Sequence, residues 1–336
     1  MQYRVAVVGA SGYTGVELIK MLLQHPNFEI SYISSSEGDE AISALYPALS
    51  EIYDEILQKT DIDAIIEKAD LAFLALPHKS AMEVAKPLLE SGVKVVDLSA
   101  DYRLQLENYE AFYTKHTDPK HLESAVYGLP EINREKIEKA SLVANPGCYP
   151  TAALLSLIPL LPYLDLSYPL MIDAKSGVSG AGKKCSSKTH YVSINENIFA
   201  YNPIKHRHSI EIKEKLELIA KELVDLVFVP HLLPLTRGML VDSYLLLKEP
   251  IDPLEVLQDF YANEPFVRIK EEPVDVKAVA GTHFCDIFAK REGKKLFISS
   301  AIDNLLRGAS SQAVANANIL MGLDETIALP KIAYIP

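Results

Sequence analysis

The sequence predicts a two-domain protein: an α/β half built on a doubly wound parallel sheet, then an α+β half with a mostly antiparallel sheet. Three observations carry this reading. Apolar strand-like runs alternate with helix-like segments as far as Ala144. Beyond Thr151, strand-like runs follow one another with few helices between them. A glycine-rich turn, Gly9–Gly15, joins the first strand to the first helix. A chain of 336 residues also suits about two domains better than one core.

The elements follow in order. Tyr3–Val8 is a short β-branched run, and Val16–Gln24 places Val16, Leu18, Ile19, Leu22 and Leu23 at helical spacing. Phe28–Ile33, Leu71–Leu76 and Val93–Leu98 are continuous apolar runs, as expected of parallel strands buried on both faces, with Ser80–Glu90 helical between two of them. Ser141–Ala144 is strand-like. In the second half, Thr151–Leu161 and Ser209–Leu223 read as helices. Leu226–Pro230, Met239–Leu247, Phe266–Lys270, Val274–Ala280, Cys285–Ala289 and Leu296–Ser300 read as strands, and Leu305–Met321 as a final helix rich in alanine.

Composition narrows the function. Hydrophobic residues at 49% and charged residues at 23% give an ordinary folding balance. With 33 Lys and Arg against 45 Asp and Glu, the net charge is −12, which disfavours nucleic acid and anionic membrane as partners. A small phosphorylated ligand needs only a local pocket and stays open. Cys148, Cys185 and Cys285 make no disulfide framework and suit a reducing compartment. The amino terminus lacks the layout of a secretory signal. Ala152–Leu164, broken by Ser156, Pro159 and Pro162, is too short to span a bilayer, so a cytoplasmic protein is expected.

Four motifs carry chemistry. Gly9-Ala10-Ser11-Gly12-Tyr13-Thr14-Gly15 has the spacing G-x-x-G-x-x-G in strand–turn–helix context. Such a turn lets backbone approach a pyrophosphate at a helix N-terminus, as in Rossmann-like domains. The second strand runs into Ser34-Ser35-Ser36 with Glu37 only afterwards, so hydroxyls stand where an acid would select NAD, and NADP is favoured. Asn145-Pro146-Gly147-Cys148-Tyr149-Pro150-Thr151 places Cys148 on a strand–helix elbow, where the helix dipole favours a thiolate nucleophile; Cys185 and Cys285 have no such setting and are read as structural. Lys205-His206-Arg207-His208-Ser209-Ile210-Glu211 supplies a histidine to exchange protons with that thiol. Alternatively His206, His208 and Glu211 ligate a metal, or the segment is a solvated helix start. Gly177–Lys184 nearly matches a phosphate-binding loop, but Lys184 stands where Ser or Thr must hold magnesium, so an ATPase is rejected. That basic loop, with Ser179 and Gly180, remains able to approach cofactor or substrate. Arg103, just past a parallel strand, is placed to hold a carboxylate or phosphate, or else pairs with Asp101 or Glu107; Arg237 is a further candidate.

Together Gly9–Leu18, Ser99–Arg103, Asn145–Thr151, Ser176–Gly182, Lys205–Ile212 and Asp303–Ala309 resemble the N-acetyl-γ-glutamyl-phosphate reductases, NADPH enzymes of arginine biosynthesis, over nearly the whole chain. Pro-Gly-Cys-Tyr-Pro-Thr and His-Arg-His-x-x-Glu are the specific segments, and Lys183 departs from the arginine common in relatives. The resemblance implies Cys148 as nucleophile and His208 as acid/base. It implies Arg103, Glu211 and Lys205 about the substrate, and Ser11, Gly12, Tyr13, Thr14, Gly15, Ser34, Ser36, Ser179, Gly180, Asn304 and Gly308 about NADP(H), with no metal. It implies an NADP-binding domain over 1–148 completed by 304–336, and a catalytic and oligomerisation domain over 149–303 that forms a homo-oligomer, a dimer or a tetramer. Aspartate-semialdehyde dehydrogenase, or a reductase of a carrier-protein-linked aminoadipyl phosphate, would share the chemistry.

Overall fold

The computed structural model describes residues 2–334 and comprises two compact units. The first runs to Pro146 and includes Ala309–Leu329; the second is Gly147–Gly308 with the segment from Pro330. Cys148, residues 304–308 and the segment from Pro330, assigned to the cofactor domain from sequence, therefore group with the second unit. The local reason is hydrogen bonding: Gly147 N–H is held by Glu211, and Asn304 by Gly238 and Ser179.

The first unit holds seven strands: β1 (Tyr3–Val8), β2 (Phe28–Ser35), β3 (Gln58–Lys59), β4 (Leu71–Leu74), β5 (Lys94–Asp97), β6 (Val126–Tyr127) and β7 (Leu142–Ala144). Their order is β3-β2-β1-β4-β5-β7-β6, and every pairing is parallel. The chain winds outward from β1 to β3 and then restarts at β4 on the other side of β1. The glycine turn after β1 thus lies at the topological switch point, where open α/β sheets bind ligands. The Ser311–Leu320 helix completes this unit and is buried on all sides. Its polar residues are satisfied: Asn316 Nδ2 lies 2.9 Å from the Gly128 carbonyl and 3.0 Å from Asn145 Oδ1.

The second unit holds β8 (Leu170–Gly177), β9 (Phe199–Ala200), β10 (Leu226–Leu233), β11 (Met239–Leu246), β12 (Val267–Lys270), β13 (Cys285–Glu292) and β14 (Lys295–Ile302), in the order β12-β13-β14-β11-β8-β10-β9. β8/β10 and β12/β13 are parallel and the other four neighbouring pairs antiparallel. The Cys148–Leu157, Arg207–Ala220 and Pro253–Phe260 helices pack on one face; Ser300 Oγ, for example, donates to the Ala152 carbonyl at 3.0 Å. Val274–Ala280, expected as a strand, is a run of turns. Asp275 captures the Ala278 N–H at 3.0 Å and the Val276 carbonyl receives Ala280 at 2.9 Å, which diverts the backbone from pairing. β8 is a strand that the sequence pattern did not announce.

The turn after β1 needs its glycines. Gly9 has φ +89°, and a methyl there would lie 2.3 Å from the Ala75 carbonyl oxygen; one on Gly15 would lie 2.5 Å from that of Gly9. Gly9→Ala is therefore expected to cost about 2–4 kcal/mol through left-handed strain and overpacking. A lowered urea midpoint with unchanged slope checks this.

Candidate active site

Within the second unit, Cys148 is the first residue of its helix and half-buried. Gly147, the N-cap, has no side chain to cap the opening N–H groups, which leaves them to the helix start beside the sulfur. Thr151 ties the turn down: its N–H and its hydroxyl each donate to the Gly147 carbonyl at 2.9 Å. Cys285 is buried in β13, as a structural thiol should be, whereas Cys185 is exposed on the loop after Gly182 and packs against no core.

The Gly147 N–H donates to Glu211 Oε1 at 2.9 Å, and this carboxylate is buried in the Arg207–Ala220 helix. His208 stands three residues earlier on that helix, its ring centroid 5.8 Å from that of Tyr149, the neighbour of Cys148. The Cys148 helix and the His208 helix are thus joined by a buried hydrogen bond and by an aromatic contact. Tyr149 also receives the Tyr201 hydroxyl at 3.0 Å, and burial keeps its own hydroxyl protonated.

His206 is the N-cap of the same helix, its Nδ1 accepting the His208 N–H at 3.1 Å. Burial, then the Arg207 charge, pushes its pKa down to about 4, so the ring is neutral near pH 7. Among the described residues no group of three His, Cys, Asp or Glu side chains is arranged to hold a metal. Lys205 is exposed beside this segment. Ser179, Gly180 and Asn304 form one knot: Asn304 Nδ2 donates to Ser179 Oγ at 3.0 Å, and a methyl on Gly180 would lie 3.0 Å from Ser176 Oγ. Gly308 lies against Cys148 itself, since a methyl there would be 2.6 Å from Cys148 Cβ.

The first unit carries the cofactor candidates. Ser11, Gly12, Tyr13 and Thr14 are half-exposed at the opening of the Tyr13–Leu22 helix, and Gly15 is buried beneath. That helix has no side-chain cap, and a methyl on Gly12 would have only the Gly9 oxygen nearby, at 3.6 Å. Exposed N–H groups beside this clear backbone suit the pyrophosphate of a dinucleotide. Ser34 is buried and receives the Thr60 hydroxyl at 3.1 Å, whereas Ser36 is exposed. Lys59, which sequence reasoning missed, pairs in register with Ser35; only the short strand β3 brings it there. Arg103 is buried, with Nε on the Asn145 carbonyl and Nη2 on the Leu98 carbonyl, both at 2.7 Å. Behind it, burial and the neighbouring Asp101 push Asp97 up to about 7.

Comparison with known proteins agrees with this geometry. The family profile described as "Semialdehyde dehydrogenase, NAD binding domain" matches residues 4–140, and "Semialdehyde dehydrogenase, dimerisation domain" matches 148–304. A solved aspartate semialdehyde dehydrogenase with NADP from Candida albicans superposes with a TM-score of 0.72 at 16% identity, covering 96% of this chain and 99% of that one, and shows the fold alone. Fold and profiles define a semialdehyde dehydrogenase-class oxidoreductase with a nicotinamide dinucleotide domain. Two proteins named N-acetyl-gamma-glutamyl-phosphate reductase are much nearer. That of Sulfurovum sp. (strain NBC37-1) is 58% identical, covering 99% of both chains, and that of Wolinella succinogenes is 57% identical, covering 99% of this chain and 98% of that one. The chain belongs to the N-acetyl-gamma-glutamyl-phosphate reductase family.

His206 gives a pH prediction. Between its ordinary value of 6.5 and its folded value of about 4, the unfolded chain binds a proton that the folded chain refuses. Stability is therefore full above that window and falls as pH drops through it. His206→Asn keeps an acceptor for the His208 N–H and removes the titration. Across the window the wild type is expected to lose up to about 3 kcal/mol more than the variant, measured by urea unfolding at stepped pH.

Proposed function

We propose that this chain reduces N-acetyl-glutamyl 5-phosphate to N-acetylglutamate 5-semialdehyde and phosphate, using NADPH, in arginine biosynthesis. The observation that carries the chemistry is the half-buried Cys148 at a helix start whose Gly147 N–H is tied through Glu211 to the helix of His208. The Cys148 thiolate attacks the acyl carbon. The acyl C–O bond to phosphate breaks, phosphate leaves with the electron pair, and a thioester remains. Nicotinamide, when bound, supplies the hydride that reduces the thioester carbon. The helix-start N–H groups hold the developing oxyanion with His208 keeping a proton beside it, and the oxyanion's electron pair then re-forms the C=O bond as the C–S bond breaks, releasing the aldehyde and returning the thiolate. Arg103 fixes the Asn145 carbonyl, three residues before Cys148, as a positioning residue.

Three further assignments belong to this reading. NADP over NAD is supported by Ser34–Ser36 at the end of β2, with the cation of Lys59 beside Ser35 for a 2′-phosphate. Among the described residues no helix is long and apolar enough to cross a membrane, which accords with action on a diffusible substrate. A homodimer is supported by the face of the second sheet opposite its helices. There Met171, Tyr244 and Phe297 stand in register across β8, β11 and β14, within a hollow of about 1100 Å³. Met171 and Tyr244 are nearly half exposed, a larger apolar patch than a lone subunit needs.

Two experiments follow. In the reverse direction, nicotinamide absorbance should report NADP reduction with N-acetylglutamate semialdehyde only when phosphate is present. Aspartate semialdehyde and NAD should be poor substitutes. Cys148→Ala should abolish turnover and keep NADP binding; a residual rate within about tenfold of wild type removes Cys148 from the mechanism. Tyr244→Arg should convert the dimer to monomer in light scattering, and an unchanged mass places the interface elsewhere.

A further inference from the structure

Asp303 directly follows β14 and is wholly buried. Its Oδ1 accepts the N–H groups of Leu305 and Leu306 at 2.9 and 3.1 Å, and its Oδ2 accepts Gly281 N–H at 2.7 Å and Arg237 Nη1 at 3.3 Å. Its carbonyl accepts the Gly308 N–H at 2.9 Å. One residue thus sets the start of the π-helical turn Leu306–Ser310 and the position of Gly308 within it. Burial raises the Asp303 carboxyl above its ordinary range, and Arg237 with the three N–H groups opposes that.

Gly308 is where this turn meets the chemistry. A methyl on it would lie 2.6 Å from Cys148 Cβ and 3.1 Å from Cys148 Cα, so bare backbone walls one side of the nucleophile. A wall at that range limits the staggered positions open to the sulfur. Shifting the turn shifts where the thiolate points, although no group of Asp303 touches it.

Arg237, the counter-charge, is itself wedged. A methyl on Gly177 would lie 2.8 Å from Arg237 Cα, and the next residue, Gly238, donates its N–H to Asn304 Oδ1 at 2.7 Å. Tyr334 lies over the guanidinium, with its ring centroid 5.4 Å away and its hydroxyl receiving Nη1 at 3.2 Å. Tyr334 N–H is held by the Ala280 carbonyl at 2.9 Å, and the ring rests on Gly281, where a methyl would come within 3.0 Å. Tyr334 thus covers one side of an ion pair whose Asp303 is fully buried and whose strength depends on the local dielectric.

We propose that the Arg237–Asp303 ion pair, covered by Tyr334, positions the Cys148 thiolate through the Gly308 turn, making these three positioning residues of the reaction. The inference rests on Cys148 being the nucleophile. It is tested by the rate of iodoacetamide alkylation at Cys148 across pH, resolved by peptide mapping, with exposed Cys185 as internal control, alongside kcat and KM.

Asp303→Asn puts an amide nitrogen against Gly281 N–H and Arg237. It should lower kcat and Cys148 alkylation by roughly tenfold to a hundredfold, the scale of a misplacement of about 1 Å, leaving Cys185 and KM near wild type. Tyr334→Ala should act in the same direction more weakly, and Tyr334→Phe, which keeps the ring over the guanidinium, should restore the rate. Wild-type alkylation and pH profile at Cys148 in Asp303→Asn and Tyr334→Ala, with only the melting temperature lowered, overturn the proposal. If Asp303→Asn does not fold, the half-exposed Tyr334 pair decides it. Altered Cys148 alkylation in a protein whose wild type does not turn over the acyl phosphate would leave the positioning role standing and remove the proposed substrate.

Discussion

The arrangement of the second unit depends on one buried hydrogen bond, from the Gly147 N–H to the Glu211 carboxylate. A carboxylate this deep is unfavourable unless its oxygens find donors, and a helix start with no side-chain cap has donors to give. Each end therefore satisfies the other's deficit. Because Gly147 precedes Cys148 and Glu211 follows His208 by one helical turn, the same bond ties the Cys148 elbow to the His208 helix.

Glycine recurs wherever backbone must approach something closely. Gly9 and Gly15 let the turn after β1 close on itself, and Gly12 leaves its outer side clear. Gly308 does the same work in the second unit, against a side chain instead of a phosphate. The family resemblance implies Gly308 as a cofactor contact; in the structure its bare face admits Cys148.

How much of this was legible in the sequence follows from how local each signal is. The longer parallel strands of the first unit are legible because burial on both faces makes continuous apolar runs, as in Leu71–Leu74, whereas the two-residue β3 and β6 carry no such run. The Cys148 elbow was equally visible, since Gly147 and Pro150 bracket it. β8 was not: Leu170, Ile172 and Ala174 turn inward while Met171, Asp173 and Lys175 face outward, and the charged residues dilute the run. Lys59 beside Ser35 and Tyr334 over Arg237 are products of tertiary pairing, and nothing within a few residues of either hints at its neighbour. Arg103 was read as a ligand clamp from its place after a strand. The place was right, but two of its nitrogens hold main-chain carbonyls.

The two histidines of Lys205–Glu211 are separated by their surroundings, which motif spacing alone leaves undecided. His206 is boxed by the rings of Tyr149, Tyr201 and Phe228, and its Nδ1 is committed to the His208 N–H. That acceptor bond requires an unprotonated Nδ1, and the burial that depresses its pKa to about 4 enforces the same state. A ring locked as neutral acceptor cannot carry protons near pH 7, so its contribution is to cap the helix. By fixing the backbone of His208, that cap also fixes the origin of the His208 side chain. His208, whose main chain is held by His206 before it and by the Glu211–Gly147 bond one turn later, is the histidine of the pair left for the proton transfer proposed above.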